Sequence, residues 1–294
     1  GKAQDIYLKL TQQLNYRKSK TEVHLLHSKF IRKHRTALEN EIMKFSGDEN
    51  ASGIWVTTQI VEASLDIDFD ILFTEMCTVD SLLQRMGRCN RAGRKNILQG
   101  GNIIVYEKAS GIGSVYDKEI FSRSLSILKE YSGNIISEAD KIELINKVYD
   151  MEYIKGTDYF KKLDRYIRSL HTIDPLDYDM KKADKDFRKI NSITVMPDAV
   201  YNENQKLIEN IVGFLKVHGI SRGVRKIFYE KLSSLTMDIG MFSAKNKSVP
   251  DNVDISTIEN TQIHRTCLTY DFDEVTGKGR GLVMGEAEEN NFII

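Results

Sequence analysis

Three arginines and a glutamine are crowded into the run Gln84-Arg85-Met86-Gly87-Arg88-Cys89-Asn90-Arg91. On one continuous helix Gln84, Arg88 and Arg91 share a face, with Arg85 beside it. Guanidinium groups that converge on one patch repel each other, which argues against a core role. Each offers a planar fork of donors that stays charged and suits phosphate oxygens. The plain alternative is a solvated basic helix face.

Upstream lies Val56-Thr57-Thr58-Gln59-Ile60-Val61-Glu62-Ala63-Ser64-Leu65-Asp66-Ile67-Asp68-Phe69-Asp70. A strand here runs into a polar turn, then into a loop with three nearby carboxylates. Hydroxyls at a strand end can hold a phosphate, and an aspartate a short way along can accept hydrogen bonds from a ribose. Strand-end residues that merely cap a helix are the alternative.

The elements that must position these groups read as follows. Ala3 to Leu14 forms an amphipathic helix with Ile6, Leu10 and Leu14 on one stripe. Glu22 to His27 is a short β-rich run, and Ile31 to Phe45 is helical with Leu38, Ile42 and Phe45 inward. Ile54–Thr58 and Ile71–Met76 are compact apolar strands, Asp80–Cys89 a helix, and Asn102–Glu107 a closing strand. Strands separated by helices imply βαβ units and a parallel sheet with helices on both faces. The strand that such a unit places first is missing at the front, and truncation is the expected reason. From about Tyr116 long helical patterns dominate, with a strand Ser192–Met196 ending at Pro197 and a hairpin from Thr269 to Val283. The expected division is therefore 1–115 and 116–294, the second part mainly helical.

A chain of 294 residues suffices for two ordinary domains. No apolar run approaches the roughly 18 to 20 residues of a membrane span, and no export signal opens the chain. Cys77, Cys89 and Cys267 are scattered and odd in number, which fits a reducing cytoplasm and no thiolate metal site. The 42 basic and 42 acidic side chains cancel overall, yet residues 1–45 hold ten Lys or Arg against four Asp or Glu. Between Leu82 and Lys95 five basic residues stand with no acid, and a block of that kind marks a solvated helix face or an anion site.

Taken in order, strand, Thr-Thr-Gln, Glu-Ala-Ser-Leu-Asp, strand, helix and Gln-Arg-Met-Gly-Arg-Cys-Asn-Arg resemble motifs V and VI of superfamily 2 helicases. Thr57 to Asp70, and Gln84 to Arg91 continued by Ala92-Gly93, are similar more narrowly to the CRISPR-associated helicase of type I interference systems. Leu26-His27-Ser28-Lys29-Phe30 matches another element of that family, with Lys29 in place of its usual arginine. The resemblance implies a second RecA-like motor lobe followed by a C-terminal accessory domain. It places Arg88 and Arg91 as arginine fingers, Asp66 at the nucleotide ribose, and Gln84 and Arg85 at or bracing the nucleotide face. Thr58, His27 and Ser28 fall on the nucleic-acid side, where backbone contacts are insensitive to sequence.

Such a motor also needs a GxxxxGK[ST] loop and an Asp-Glu pair for magnesium. The string Thr276-Gly277-Lys278-Gly279-Arg280-Gly281 has no hydroxyl residue after its Lys and reads as a hairpin turn, with Asp273-Glu274 beside it. The family's nuclease needs a His-Asp cluster, and no adjacent His-Asp pair occurs among the six histidines. ATP and Mg²⁺ are thus expected to be held mainly by a first lobe absent from this chain, which alone is expected to be inactive. Expected partners are single-stranded DNA, that lobe with its nuclease domain, and an RNA-guided surveillance complex. The alternatives are a superfamily 2 DNA or RNA helicase outside CRISPR systems, and a non-catalytic binding fragment.

Overall fold

The computed structural model describes residues 1–171, 192–217, 219–240 and 263–283. In chain order its elements are α1 (Lys2–Tyr16), β1 (Glu22–Leu26), α2 (Arg32–Gly47), β2 (Gly53–Thr57), α3 (Ile60–Ser64), β3 (Leu72–Glu75), α4 (Val79–Met86) and β4 (Ile103–Tyr106). Then follow α5 (Lys118–Leu128), a 3₁₀ turn (Lys129–Tyr131), α6 (Glu138–Val148), α7 (Met151–Ile154) and α8 (Asp158–His171). The last part holds β5 (Ser192–Pro197), α9 (Asp198–Glu203), α10 (Gln205–Leu215), α11 (Arg222–Ser234), β6 (Met237–Gly240), β7 (Ile263–Thr266), β8 (Tyr270–Asp273) and β9 (Lys278–Leu282). Two compact units result, residues 1–60 with 189–294, and residues 61–188.

In the first unit β1 and β2 pair in parallel, Leu26 opposite Thr57. Leu38 and Ile42, four apart on α2, are buried as the helical period requires. Helix α1 differs from its expected stripe. Gln4 and Tyr7 are its buried residues, and Ile6 is 41% exposed. The cause is polar. The Gln4 amide donates to the Arg280 carbonyl at 2.6 Å and the Leu282 carbonyl at 3.0 Å, so β9 selects the face that carries a donor.

Strand β5 lies between β6, antiparallel, and β7, parallel. Val195, Met196, Ile208, Ile211, Leu232 and Met237 form the core beneath it. The expected hairpin forms as β8 and β9, with Gly277 in its turn at φ +65°. Within β9, Gly281 sits at φ +66°, and the amide of Leu282 donates to the Lys29 carbonyl at 2.8 Å. Thr276 to Gly281 is therefore hairpin, not phosphate loop. Strands β6 and β7 add β structure, beside the expected strand and hairpin, to a region read as mainly helical.

The second unit pairs β3 with β4, again in parallel. Val79 of α4 packs with Ile120 of α5 and with Leu144 and Val148 of α6, whereas Leu82 and Met86 of α4 pack with Phe121 of α5 in a separate buried cluster. Asp117 caps α5, and a Ser137/Asp140 capping box opens α6. The described residues are thus mixed α/β, with β1–β2 and β3–β4 as separate two-stranded parallel ladders and a further parallel pair, β5–β7, inside the three-stranded sheet.

Candidate nucleotide and nucleic-acid site

The helix expected to run to Cys89 stops at Met86, with Gly87 as its C-cap. Backbone pairing explains the stop. The Phe69 amide donates to the Arg88 carbonyl at 2.9 Å, and the Asn90 amide donates to the Phe69 carbonyl at 2.9 Å. This parallel bridge between Phe69 and Cys89 draws residues 88–90 off the helix and ties them to the upstream loop. Asn90 takes φ +47°, a conformation Asn tolerates, and its side chain bonds the backbone of Lys95 on both sides. Gln84 therefore lies on the helix, whereas Arg88 and Arg91 lie on the turn beyond it.

The bridge brings the candidate groups together. Arg91 Nη1 meets the Asp66 carboxylate directly. Asp68 Oδ1 accepts from the backbone amide of Arg91 at 2.8 Å and so holds that turn. Arg88 Nη2 donates to the Glu62 carbonyl at 2.8 Å, and Arg88 Nε is buried without a hydrogen-bond partner. Gln84 and Asp66 are exposed.

Arg85 is turned inward. Its Nε donates to Glu62 Oε1 at 2.7 Å, Nη1 to Thr74 Oγ1 at 2.8 Å and the Glu75 carbonyl at 3.2 Å, and Nη2 to the Tyr116 hydroxyl at 2.7 Å. As placed, it braces α3, β3 and α4 and offers little to a ligand. The structure thus supplies a packing reason for one arginine of a run whose composition suggested none. Burial pushes the Cys77 thiol up to about 12 and the Cys89 thiol up to about 11, so both are neutral. Among the described residues no group of three or more His, Cys, Asp and Glu is placed to share a metal ion.

The other candidates belong to the first unit. Thr58 and Ser28 are exposed at the C-terminal ends of β2 and β1. His27 is only 4% exposed and stacks on Phe30 with ring centroids 4.7 Å apart. Its Nδ1 accepts from the Lys29 amide at 3.0 Å, so Nε2 carries the proton and donates to the Arg280 carbonyl at 3.0 Å. Burial lowers its pKa to about 4. With both nitrogens occupied, His27 has none left for a phosphate and instead shapes the turn that presents Ser28.

Glu62 was not among the sequence candidates. Its signal was a lone acid within Ile60-Val61-Glu62-Ala63, where an acid needs a buried partner.

Residues 1–94 match the family described as CRISPR-associated nuclease/helicase Cas3, C-terminal. A CRISPR-associated nuclease/helicase Cas3 of Methanothermobacter thermautotrophicus is 34% identical over 195 residues, covering 64% of this chain and 23% of the relative. One from Streptococcus thermophilus is 26% identical over 258 residues, covering 79% of this chain and 26% of the relative. The crystal structure of T. fusca Cas3-ATP aligns with a TM-score of 0.58 at 19% identity, covering 90% of this chain and 34% of that one. A chain of a CRISPR RNA-guided surveillance complex, pre-nicking, aligns with a TM-score of 0.56 at 19% identity, covering 95% of this chain and 37% of that one. The chain spans about a quarter of the length of these curated relatives. Its first 94 residues are thus similar to the C-terminal region of the CRISPR-associated nuclease/helicases.

Proposed function

We propose that residues 1–115 act as the second, RecA-like lobe of an ATP-dependent single-stranded DNA translocase in CRISPR interference, with 116–294 as its accessory domain. The observation that carries this reading is the Phe69–Cys89 bridge, which sets Asp66 against Arg91 and Arg88 beside them. A ribose acceptor and two guanidinium groups on one surface suit the sugar and terminal phosphate of ATP bound to a facing lobe. Arg88 and Arg91 would stabilise charge developing on the transferred phosphoryl group, an effect on the order of 10³ to 10⁵ in rate for such fingers. The buried, unpartnered Arg88 Nε is a donor that the fold leaves unspent. Gln84 would meet the nucleotide or the facing lobe, with Arg85 acting from beneath as a brace. Bound ATP and Mg²⁺ would be held mainly by that other lobe, which would also carry the phosphate loop.

On the nucleic-acid side, Thr58 and Ser28 would contact the DNA backbone, Ser28 being presented by the His27 turn. The partners are single-stranded DNA, the first lobe with its nuclease domain, and an RNA-guided surveillance complex, with work in the cytoplasm. No helix of the described residues is long and apolar enough to cross a membrane.

A DNA-stimulated ATPase assay tests the proposal. The chain alone is expected to show no turnover, and the chain joined to a first lobe is expected to be active. Arg88→Ala in the joined enzyme should lower turnover on the order of 10³-fold, to a residual rate that is still measurable, while ATP still binds. Normal turnover by that variant would refute the finger assignment.

A further inference from the structure

Glu62 is 9% exposed and serves two arginines with two different oxygens. Its carboxylate takes Arg85 Nε at 2.7 Å, with side-chain exposures of 10% and 17%. Its backbone carbonyl takes Arg88 Nη2 at 2.8 Å. Arg85 is fastened in turn to β3 through Thr74 and the Glu75 carbonyl, and to Tyr116. The one-turn helix α3 has too few residues to hold itself in place. What fixes the carbonyl that aims Arg88 is therefore the carboxylate of the same residue, anchored on a guanidinium that is itself held by three further bonds. We propose that Glu62 is a positioning residue: clamped by Arg85, it sets the Arg88 guanidinium toward the nucleotide. This rests on the reading of Arg88 as an arginine finger.

The geometry also explains why motif order matters here. Arg85 precedes Arg88 by three residues, but the helix ends between them, so the helix cannot transmit position from one to the other. Glu62 spans that break from outside. Its carboxylate neutralises the Arg85 charge within the unit, and its carbonyl accepts a single N–H of Arg88, leaving the remaining donors of that fork for phosphate oxygens. A displacement of the finger by about 1 Å is enough to cost on the order of 100-fold in rate.

The test is made in the complete motor, with Glu62→Gln, Arg88→Ala and the double variant, by steady-state ATPase kinetics with DNA. Glu62→Gln keeps the side-chain length and an acceptor but weakens the clamp. It is expected to lower kcat about 10- to 100-fold, with KM for ATP within about twofold of the parent. In the Arg88→Ala background it should produce no further loss, since the two act through one group. A rise in KM with kcat unchanged, or an equal additional loss in the double variant, would overturn the assignment of Glu62. Normal turnover by Arg88→Ala alone would instead overturn the finger reading, so the two failures are distinct. Should Glu62→Gln not fold, Tyr116→Phe removes one anchor of Arg85 without burying a new charge; an unchanged kcat there would overturn the proposal.

Discussion

Asp66 and Arg91, separated by 25 positions in sequence, form a direct ion pair at the surface, their side chains 87% and 49% exposed. The two groups neutralise each other across this contact. In the proposed site they would engage a ribose and a phosphate, and the contact would then open at little cost. An exposed pair of this kind contributes at most about 1 kcal/mol.

Arg91→Ala should therefore leave stability nearly untouched, within about 1 kcal/mol, while reducing kcat of the complete enzyme on the order of 10³. Denaturant unfolding and ATPase turnover measured on the same preparation check both halves. Loss of turnover only in proportion to lost folded protein would contradict the prediction.

Arg85→Ala should behave in the opposite manner. It strands the Glu62 carboxylate inside the unit, and removing one partner of a buried pair costs about 3 to 5 kcal/mol. A clear fall in the denaturation midpoint is expected, with Arg85→Lys intermediate because one ammonium cannot replace a fork with four bonds. A midpoint unchanged by Arg85→Ala would show that the brace carries no load.

His27 gives the first unit a pH dependence. Its neutral form is the one built into the fold, and burial lowers its pKa from 6.5 to about 4. Between those values the unfolded chain binds the extra proton, so stability is complete above pH 6.5 and is lost as pH falls toward 4. The size is about 3 kcal/mol. His24 and His34 are lowered by burial as well and add in the same direction. Denaturation midpoints measured at intervals from pH 7.5 to 4.5 should decline over this window, less steeply in His27→Asn. A flat profile would contradict the tautomer assigned from the Lys29 and Arg280 contacts.

Gly281→Ala should destabilise the β8–β9 hairpin. The residue sits at φ +66°, and a Cβ there would come within 2.5 Å of the Lys29 carbonyl oxygen, which belongs to rigid backbone. Positive φ and the clash together should cost about 2 to 4 kcal/mol, read as a lowered melting temperature. A neutral effect would mean that β9 does not press against residue 29.

Thr58→Ala should weaken binding of single-stranded DNA to the complete motor by a similar factor on every sequence, because phosphate contacts carry no base information. The salt dependence should stay almost the same, since no charge is removed. Titrations with two unrelated oligonucleotides at two salt concentrations decide it. A loss confined to one sequence would remove Thr58 from the backbone-contacting set.

Much of this molecule was legible in its residues. Periods of two and of 3.6 placed β1, α2, β2, β4 and the terminal hairpin within a residue or two, because their apolar spacing and turn glycines are local properties. The order of Thr58, Asp66 and the arginine run carried the family resemblance. Less was legible where a contact partner lay far away. The turned face of α1 depends on β9 carbonyls more than 270 positions distant, and the expected continuous parallel sheet takes the form of two short ladders.

The sequence by itself determined which chemistry this chain can offer: guanidinium donors, a nearby carboxylate, hydroxyls at strand ends, and no phosphate loop of its own. Only the tertiary structure decided how the arginines divide the work. A helical period treats Arg85, Arg88 and Arg91 alike, since it sees spacing and not partners. The Phe69–Cys89 bridge breaks that period and leaves Arg88 and Arg91 on the turn, while Arg85, still on the helix, reaches inward to Glu62, Thr74 and Tyr116. Buried charge must find its counter-charge wherever the fold has placed one, and only the folded chain brings Glu62 there.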